Sequence, residues 1–92
     1  MELRTLRYFL AAAKEGNITR AAEKLHVTQP TLSRQLMELE KELDTTLMIR
    51  GRKGLRLTEE GMLFQEQAQQ IIDLADQVKD NFMFRKINRK KN

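Results

Sequence analysis

Apolar residues recur at helical spacing near the start of the chain and predict two amphipathic helices. The first helix is ended by the Gly16-Asn17 pair, and its apolar face consists of Leu3, Leu6, Phe9, Leu10 and Ala13. The segment ITRAAEKL predicts a short second helix, with Asn17 or Thr19 as its N-cap. Its inward positions are Ala21, Ala22 and Leu25. The small Ala-Ala pair permits close approach of another helix, as a tight helix-turn-helix crossing requires.

A third helix is predicted from about Gln29 to Leu43, because four leucines fall on one helical face. These are Leu32, Leu36, Leu39 and Leu43. Pro30 belongs in the first turn, where the missing N–H costs nothing. Thr28 is placed to cap that turn by accepting from the N–H of Thr31, since Pro30 has no N–H to offer. The opposite face is exposed and contains Pro30, Arg34, Met37 and Lys41, flanked by Thr31 and Ser33.

After Asp44 the spacing changes from helical to extended. The segments LMIR and LRLT flank the four-residue connection Gly51-Arg52-Lys53-Gly54, which predicts a short hairpin with two cations at its tip. Arg50 and Arg56 flank this tip. A cationic tip is by itself common on soluble surfaces, but here it follows a predicted helix-turn-helix. The order indicates a mainly α fold, a winged helix-turn-helix with a three-helix head and a β-hairpin wing.

A long helix is predicted to begin after Thr58, whose hydroxyl is a suitable N-cap and which precedes Glu59 and Glu60. Its apolar positions step by four and three residues, as in a heptad seam. The predicted dimerisation residues are Phe64, Ala68, Ile71, Ala75, Val78 and Phe82. We therefore divide the chain into a winged helix-turn-helix head (1–58), a linker dimerisation helix (59–84) and a basic tail expected to be disordered (85–92).

The net charge of +4 is the sum of three segments whose charges alternate in sign. Residues 1–57 contain eleven Lys/Arg and seven Asp/Glu and are basic. Residues 58–84 contain one Lys and six Asp/Glu and are acidic, and residues 85–92 contain five Lys/Arg and no Asp/Glu. A basic head suits a polyanion, whereas an acidic helix would be repelled by one. The head is therefore expected to face nucleic acid, and the long helix is expected to lie away from it.

The third helix is the predicted reader of DNA sequence. A helix fits the major groove and reads bases best with its N-terminal residues. Gln29 suits a bidentate contact with adenine and Arg34 one with guanine, while Pro30 and Thr31 suit a thymine methyl group. The wing cations Arg52 and Lys53 suit the minor groove or phosphates.

The segment RAAEKLHVTQPTLSRQLMELEKEL, followed by Arg50 and by an LT pair before Gly61, closely resembles the N-terminal domain of LysR-type transcriptional regulators. The resemblance runs from about Leu3 to Gly61 without gaps, with the linker helix after it. It implies that Gln29, Pro30, Thr31, Ser33 and Arg34 lie at base edges, with Thr28 and the wing on the DNA backbone. It also implies antiparallel linker helices. A dimer with two recognition helices in turn predicts an inverted-repeat operator. Asp44 stands where the family usually has glycine, so the exit from the third helix is a point of possible difference.

Members of that family carry a C-terminal effector-binding domain of two α/β halves, and the sequence contains no counterpart of it. Full-length regulators of the same family are therefore candidate partners, which the chain would join through its long helix. In this alternative the chain is an interaction module that inactivates full-length regulators by forming heterodimers with them. A third interpretation is that the chain is the DNA-binding half of a molybdate-responsive regulator, which contains a similar winged domain. We place the operator-binding homodimer first, before the interaction module and the molybdate-responsive regulator.

Catalytic and metal-binding functions find little support in the sequence. The chain has no cysteine and a single histidine, His26, at the end of the second helix. No metal site, cofactor or enzymatic activity is expected. The N-terminus mixes charges into its apolar positions, unlike a secretory signal, and no uncharged run approaches the ~20 residues of a membrane span. A cytoplasmic, nucleoid-associated protein is expected, without a membrane partner.

Overall fold

The computed structural model describes residues 1–90 and contains four helices and one hairpin. The elements in chain order are α1 (Leu3–Glu15), α2 (Ile18–Leu25), α3 (Gln29–Leu43), β1 (Met48–Gly51), β2 (Gly54–Leu57) and α4 (Glu59–Lys90). The first three helices and the hairpin form the head, and α4 extends from it, so that the molecule measures 58 × 25 × 20 Å. This arrangement confirms the predicted winged helix-turn-helix followed by a long helix.

The first three helices end on residues in the left-handed conformation. These are Gly16 (φ 64°), His26 (φ 59°) and Asp44 (φ 50°). The following N–H groups bond back to carbonyls of the last turn, from Val27 to Ala22 at 3.0 Å and from Thr45 to Glu40 at 3.0 Å. Asp44 thus adopts the conformation that a glycine would take there, and the substitution leaves the exit from α3 intact.

The hairpin is tighter than the sequence indicated. Gly51 and Gly54 are the last paired residues of β1 and β2, so Arg52 and Lys53 alone form the turn. The predicted strands were therefore displaced by one residue. Gly54 has φ 105°, and a Cβ there would lie 2.5 Å from the carbonyl oxygen of Gly16. The next N–H, of Leu55, donates to that same oxygen at 2.9 Å, which fixes the wing to the end of α1.

The core of the head lies where α1, α2, α3 and the hairpin meet. Its largest fully buried side chains are Phe9, Leu32, Leu36 and Leu47. Ala21 and Ala22 are buried between α2 and its neighbours, as predicted for a close helix crossing. Glu40 of α3 accepts hydrogen bonds from the N–H groups of Leu47 (2.7 Å) and Met48 (3.2 Å). The start of the wing is therefore tied to α3.

The first half of α4 packs against α1. Leu6 forms a second small core with Ala68 and Ile72. At the helix start, Thr58 accepts from the N–H of Gly61 at 3.0 Å, which confirms the predicted cap. Gly61 is required there because a Cβ would lie 2.0 Å from the carbonyl oxygen of Leu47.

The helix α4 is longer than the sequence predicted. It continues without interruption through residues 85–90, so the prediction of a disordered tail is wrong for that segment. The rest of the predicted tail, Lys91 and Asn92, lies outside the described residues. Among residues 1–90, no helix combines the length and the apolar character needed to cross a membrane.

Candidate nucleic-acid interface

The helix α3 buries one face and leaves the other to solvent. Leu32, Leu36 and Leu39 are buried in the head. The opposite face contains the exposed residues Pro30, Arg34, Met37 and Lys41, as the sequence predicted. This face is therefore available along its whole length for contact with another molecule.

The N-terminus of α3 is built by the predicted cap. Thr28 Oγ1 accepts a hydrogen bond from the N–H of Thr31 at 3.3 Å. The Thr28 hydroxyl also donates a hydrogen bond to Thr31 Oγ1 at 2.7 Å. Gln29 and Pro30 are exposed, while Thr31 and Ser33 are half-buried beside them. The cap holds small polar side chains at the helix end, where the helix dipole favours an anion.

The wing brings Arg50 to the same side of the head as the start of α3. Arg50 and Gln29 line one shallow groove together with Asn17 and Thr19 at the start of α2. Arg52 and Lys53 are exposed at the turn. Ile49 and Arg56 pair across the two strands, and together with Arg52 and Lys53 of the turn they line a separate depression. Arg56 thus lies apart from the groove that contains Arg50.

Sequence reasoning missed the contribution of α2 to this groove. Asn17 Oδ1 accepts from the N–H of Arg20 at 2.9 Å, so it caps α2 as one of the two predicted alternatives. Thr19 remains exposed beside it. The capping signal was visible in the sequence. The proximity of Asn17 and Thr19 to Gln29 and Arg50 was not, because it depends on how the wing folds back.

Four basic side chains of α3 and the wing take part in no ion pair within the described residues 1–90. The ion pairs among residues 1–90 join Met1 to Glu42, Arg4 to Glu2, Arg7 to Asp76, and Lys24 to Glu15. Arg34, Arg50, Arg52 and Lys53 belong to none of them. Their charge is directed to solvent, as a surface for a polyanion requires.

The six predicted dimerisation residues do not share one environment. Ala68 has no exposed surface and packs with Leu6, and Phe64 is half-buried against the head, so the structure assigns both to the chain's own core. The predicted heptad seam therefore includes residues that contact the head instead of a second chain, because the head covers one face of α4. Ala75 is half-buried, whereas Ile71, Val78 and Phe82 are exposed. Leu63 and Leu74, which the prediction omitted, are exposed as well.

No group of three or more His, Cys, Asp or Glu side chains suitable for a metal ion occurs in the part of the chain that the structure describes. His26 lies at the C-terminal end of α2 with an exposed side chain.

The family described as "Bacterial regulatory helix-turn-helix protein, lysR family" matches residues 3–62. The chain belongs to this family. The match decides against the molybdate-regulator interpretation, and it covers α1, α2, α3, the wing and the start of α4. The capped N-terminus of α3 and the basic wing are thus parts of a family helix-turn-helix domain.

Among curated proteins, the chain is 52% identical over 81 residues to the HTH-type transcriptional regulator CatR of Pseudomonas putida, covering 88% of this chain and 27% of CatR. It is 47% identical over 78 residues to the probable cat1 operon transcriptional activator of Acinetobacter lwoffii, covering 85% of this chain and 26% of that protein. The chain thus spans about a quarter of the length of these relatives. They are transcriptional regulators rather than enzymes, in agreement with the expectation from the sequence.

Two solved structures are similar to the chain over nearly its full length. The CbnR DBD–DNA complex gives a TM-score of 0.86 at 42% identity and covers 90% of this chain and 95% of that one. The BenM DBD complex with catB site 1 DNA gives a TM-score of 0.87 at 42% identity and covers 96% of this chain and 97% of that one. Both structures contain the domain bound to DNA.

Proposed function

We propose that the chain binds specific sequences in double-stranded DNA as a homodimer and thereby regulates transcription, in the cytoplasm and on the nucleoid. The observation that carries the proposal is the groove that Gln29, the first residue of α3, shares with Arg50 of the wing, a cation that takes part in no ion pair within residues 1–90. The likeness to DNA-bound family domains at 42% identity supports it.

In this proposal α3 enters the major groove with its N-terminus leading. Gln29 and Arg34 carry the hydrogen-bonding groups for adenine and guanine edges. Pro30, Thr31 and Ser33 are short, so they let the helix backbone approach the bases, and Thr28 contacts a phosphate as it caps the helix. The exposure of Gln29 and Arg34 and the half-burial of Thr31 and Ser33 are consistent with these roles.

The wing holds the duplex rather than reading it. Arg52 and Lys53 at the two-residue turn and Arg50 in the adjoining groove provide positive charge beside the reading helix. Contacts of this kind position a protein on the DNA backbone and carry no direct sequence information. The groove also places Asn17 and Thr19 within the same surface, as further candidates for a phosphate contact.

The homodimer forms through α4 in this proposal. An isolated chain would expose five large apolar residues on one side of this helix, Leu63, Ile71, Leu74, Val78 and Phe82. A contiguous apolar patch of this kind marks an interaction surface. In this proposal the chain consists of a head over residues 1–58 and a dimerisation helix that follows it and continues to Lys90.

The experiment that tests DNA binding is selection of binding sites from a random duplex library by the purified 92-residue chain. The expected result is enrichment of one inverted repeat, bound at least a hundredfold more tightly than unselected DNA at the same salt concentration. Lys41→Ala provides a control, because Lys41 is exposed on the same face of α3 but far from its N-terminus. Failure to enrich any sequence, or equal affinity for selected and unselected DNA, would contradict the proposal.

A further inference from the structure

We infer that Met37, in the middle of α3, reads the methyl group of one thymine in each half-site of the operator. The inference rests on the proposed DNA-binding function and deepens it, because it adds a specificity-determining residue beyond the N-terminal turn of α3. Two observations carry it, the exposure of Met37 and the distribution of charge around α3.

Met37 is the most exposed large apolar residue of the head. It is 64% exposed, compared with 58% for Met1, 49% for Ile49 and 46% for Leu3. The buried leucines of α3 face the core from the opposite side of the helix. Packing within the head therefore does not account for an apolar side chain at this position.

Met37 belongs to a row of side chains that begins in the wing groove. Residues four apart are neighbours along a helix face, and Gln29, Ser33 and Met37 form such a row. Gln29 lines the groove together with Arg50 of the wing. Met37 also follows Arg34 by three residues, which makes it a neighbour of that side chain too. It lies only about 4.5 Å farther along the helix axis than Arg34.

The adjacent row on α3 is acidic beyond Arg34. Glu38 and Glu42 follow Arg34 at steps of four residues, and both are exposed. Glu42 pairs with the amino group of Met1 at 3.1 Å, whereas Glu38 takes part in no ion pair within residues 1–90. The dense negative charge of DNA is repelled by acidic side chains. Beyond Arg34, the duplex therefore lies over the row that contains Met37.

The chemistry of the Met37 side chain selects thymine. The C5-methyl group of thymine is the apolar feature that base pairs present in the major groove, whereas the other base edges carry hydrogen-bond donors and acceptors. A thioether has no donor and is a weak acceptor, so over another base it would leave polar groups without partners. Its flexible, polarisable chain adapts to the position of a methyl group. The preferred base is thus a thymine close to the base that Arg34 contacts.

Replacing thymine with deoxyuridine tests this contact, because deoxyuridine retains the hydrogen-bonding groups of thymine and lacks only the methyl group. Each thymine of the selected site is replaced in turn, in both half-sites together, and the purified chain is titrated against each duplex. At one position the replacement should weaken wild type about fourfold per half-site, or about fifteenfold for the symmetric site. In Met37→Ala the same replacement should change the affinity by no more than about twofold, because the partner of the methyl group is gone.

Two further variants and one matched control make the result specific to Met37. Met37→Leu should retain most of the deoxyuridine penalty, and Met37→Gln, which is nearly as long but polar, should lose it. Glu38→Gln changes the adjacent exposed residue of the acidic row and should retain the full penalty. Thymines that contact Pro30 or Thr31 should keep their penalties in every Met37 variant. All variants should unfold within about 4 °C of wild type, since both positions are exposed.

The outcomes separate this inference from the proposed function. If wild type selects an inverted repeat and Met37→Ala shows the wild-type penalty at every thymine, the inference is overturned and the proposed function stands. A selected site at which no thymine methyl group affects binding has the same meaning. A wild-type chain that selects no sequence contradicts the proposed function and the inference together. Loss of the penalty at one thymine, in Met37→Ala and Met37→Gln but not in Glu38→Gln, supports both.

Discussion

The rings of Phe9 in α1 and Phe64 in α4 pack edge to face, with centroids 5.0 Å apart and planes at 83°. Phe9 is fully buried at the centre of the head, so this packing joins the main core to the long helix. Farther along, Arg7 donates to Asp76 at 3.0 Å and links α1 to a later turn of α4. The direction of α4 relative to the recognition helix is therefore fixed by side-chain packing.

Replacing Phe64 with alanine is expected to lower the free energy of unfolding by about 2–4 kcal/mol, because it removes the aromatic packing and leaves a cavity beside Phe9. Phe82→Ala is the matched control, since Phe82 is exposed on the same helix. Urea unfolding at a fixed protein concentration gives the free energies, and sedimentation gives the dimer fraction. We expect Phe82→Ala to reduce the dimer fraction with the head still folded. An equal decrease in stability in the two variants would contradict this assignment.

Replacing Gly61 with alanine is expected to destabilise the head by about 2–3 kcal/mol, because the new Cβ would overlap the backbone oxygen of Leu47 and force the wing and α4 apart. Gly51→Ala is a close comparison, since a Cβ at Gly51 meets nothing within 4 Å. It should change stability by no more than about 0.5 kcal/mol. Thermal unfolding of both variants provides the measurement. A Gly61→Ala variant as stable as wild type would show that α4 does not need this close approach.

Base reading and backbone binding should respond differently to mutation. Gln29→Ala or Arg34→Ala should cost about 1–3 kcal/mol on the selected site, with little effect on random DNA, because the hydrogen bonds that are removed discriminate between bases. Arg52→Ala or Lys53→Ala should weaken binding to both DNAs and reduce the salt slope by about one for each phosphate that is no longer neutralised. Titrations on both DNAs at several salt concentrations measure these effects. The roles would be reversed if wing variants bound all sequences equally and Arg34→Ala weakened both DNAs to the same extent.

A symmetric dimer with two copies of α3 should require half-sites separated by about one helical turn, ~34 Å. Inserting about five base pairs between the half-sites turns one of them to the far side of the duplex. We expect this insertion to abolish tight binding, and an insertion of about ten base pairs to restore part of it. Anisotropy titrations on the three duplexes make the comparison. Unchanged affinity after the shorter insertion would exclude the symmetric arrangement.

Local interactions allowed the sequence to determine the helices of the head. Thr28 and Thr58 cap α3 and α4 through hydrogen bonds to residues three positions away, so their roles follow from spacing alone. For α2 the spacing left Asn17 and Thr19 as alternatives, and the structure shows Asn17 as the cap. The four leucines of α3 fix its buried face in the same way, because helical periodicity assigns faces without knowledge of the neighbours. The exposed position of Arg34 follows from that assignment, whereas that of Gln29 follows from its place at the N-terminus of α3.

Tertiary structure alone decided how the apolar positions of α4 are divided. A seam at steps of three and four residues is compatible with packing on the head or on a second chain, and the sequence treated Ala68 and Phe82 alike. Ala68 is buried because α1 lies against that face, whereas Phe82 lies beyond the head and stays exposed. The groove shared by Gln29 and Arg50 has the same origin, since Leu55 of the wing also lines it and the N–H of Leu55 donates to the carbonyl of Gly16, a residue distant in sequence. Periodicity fixes the faces of a helix, but only interactions between residues distant in sequence decide what each face meets.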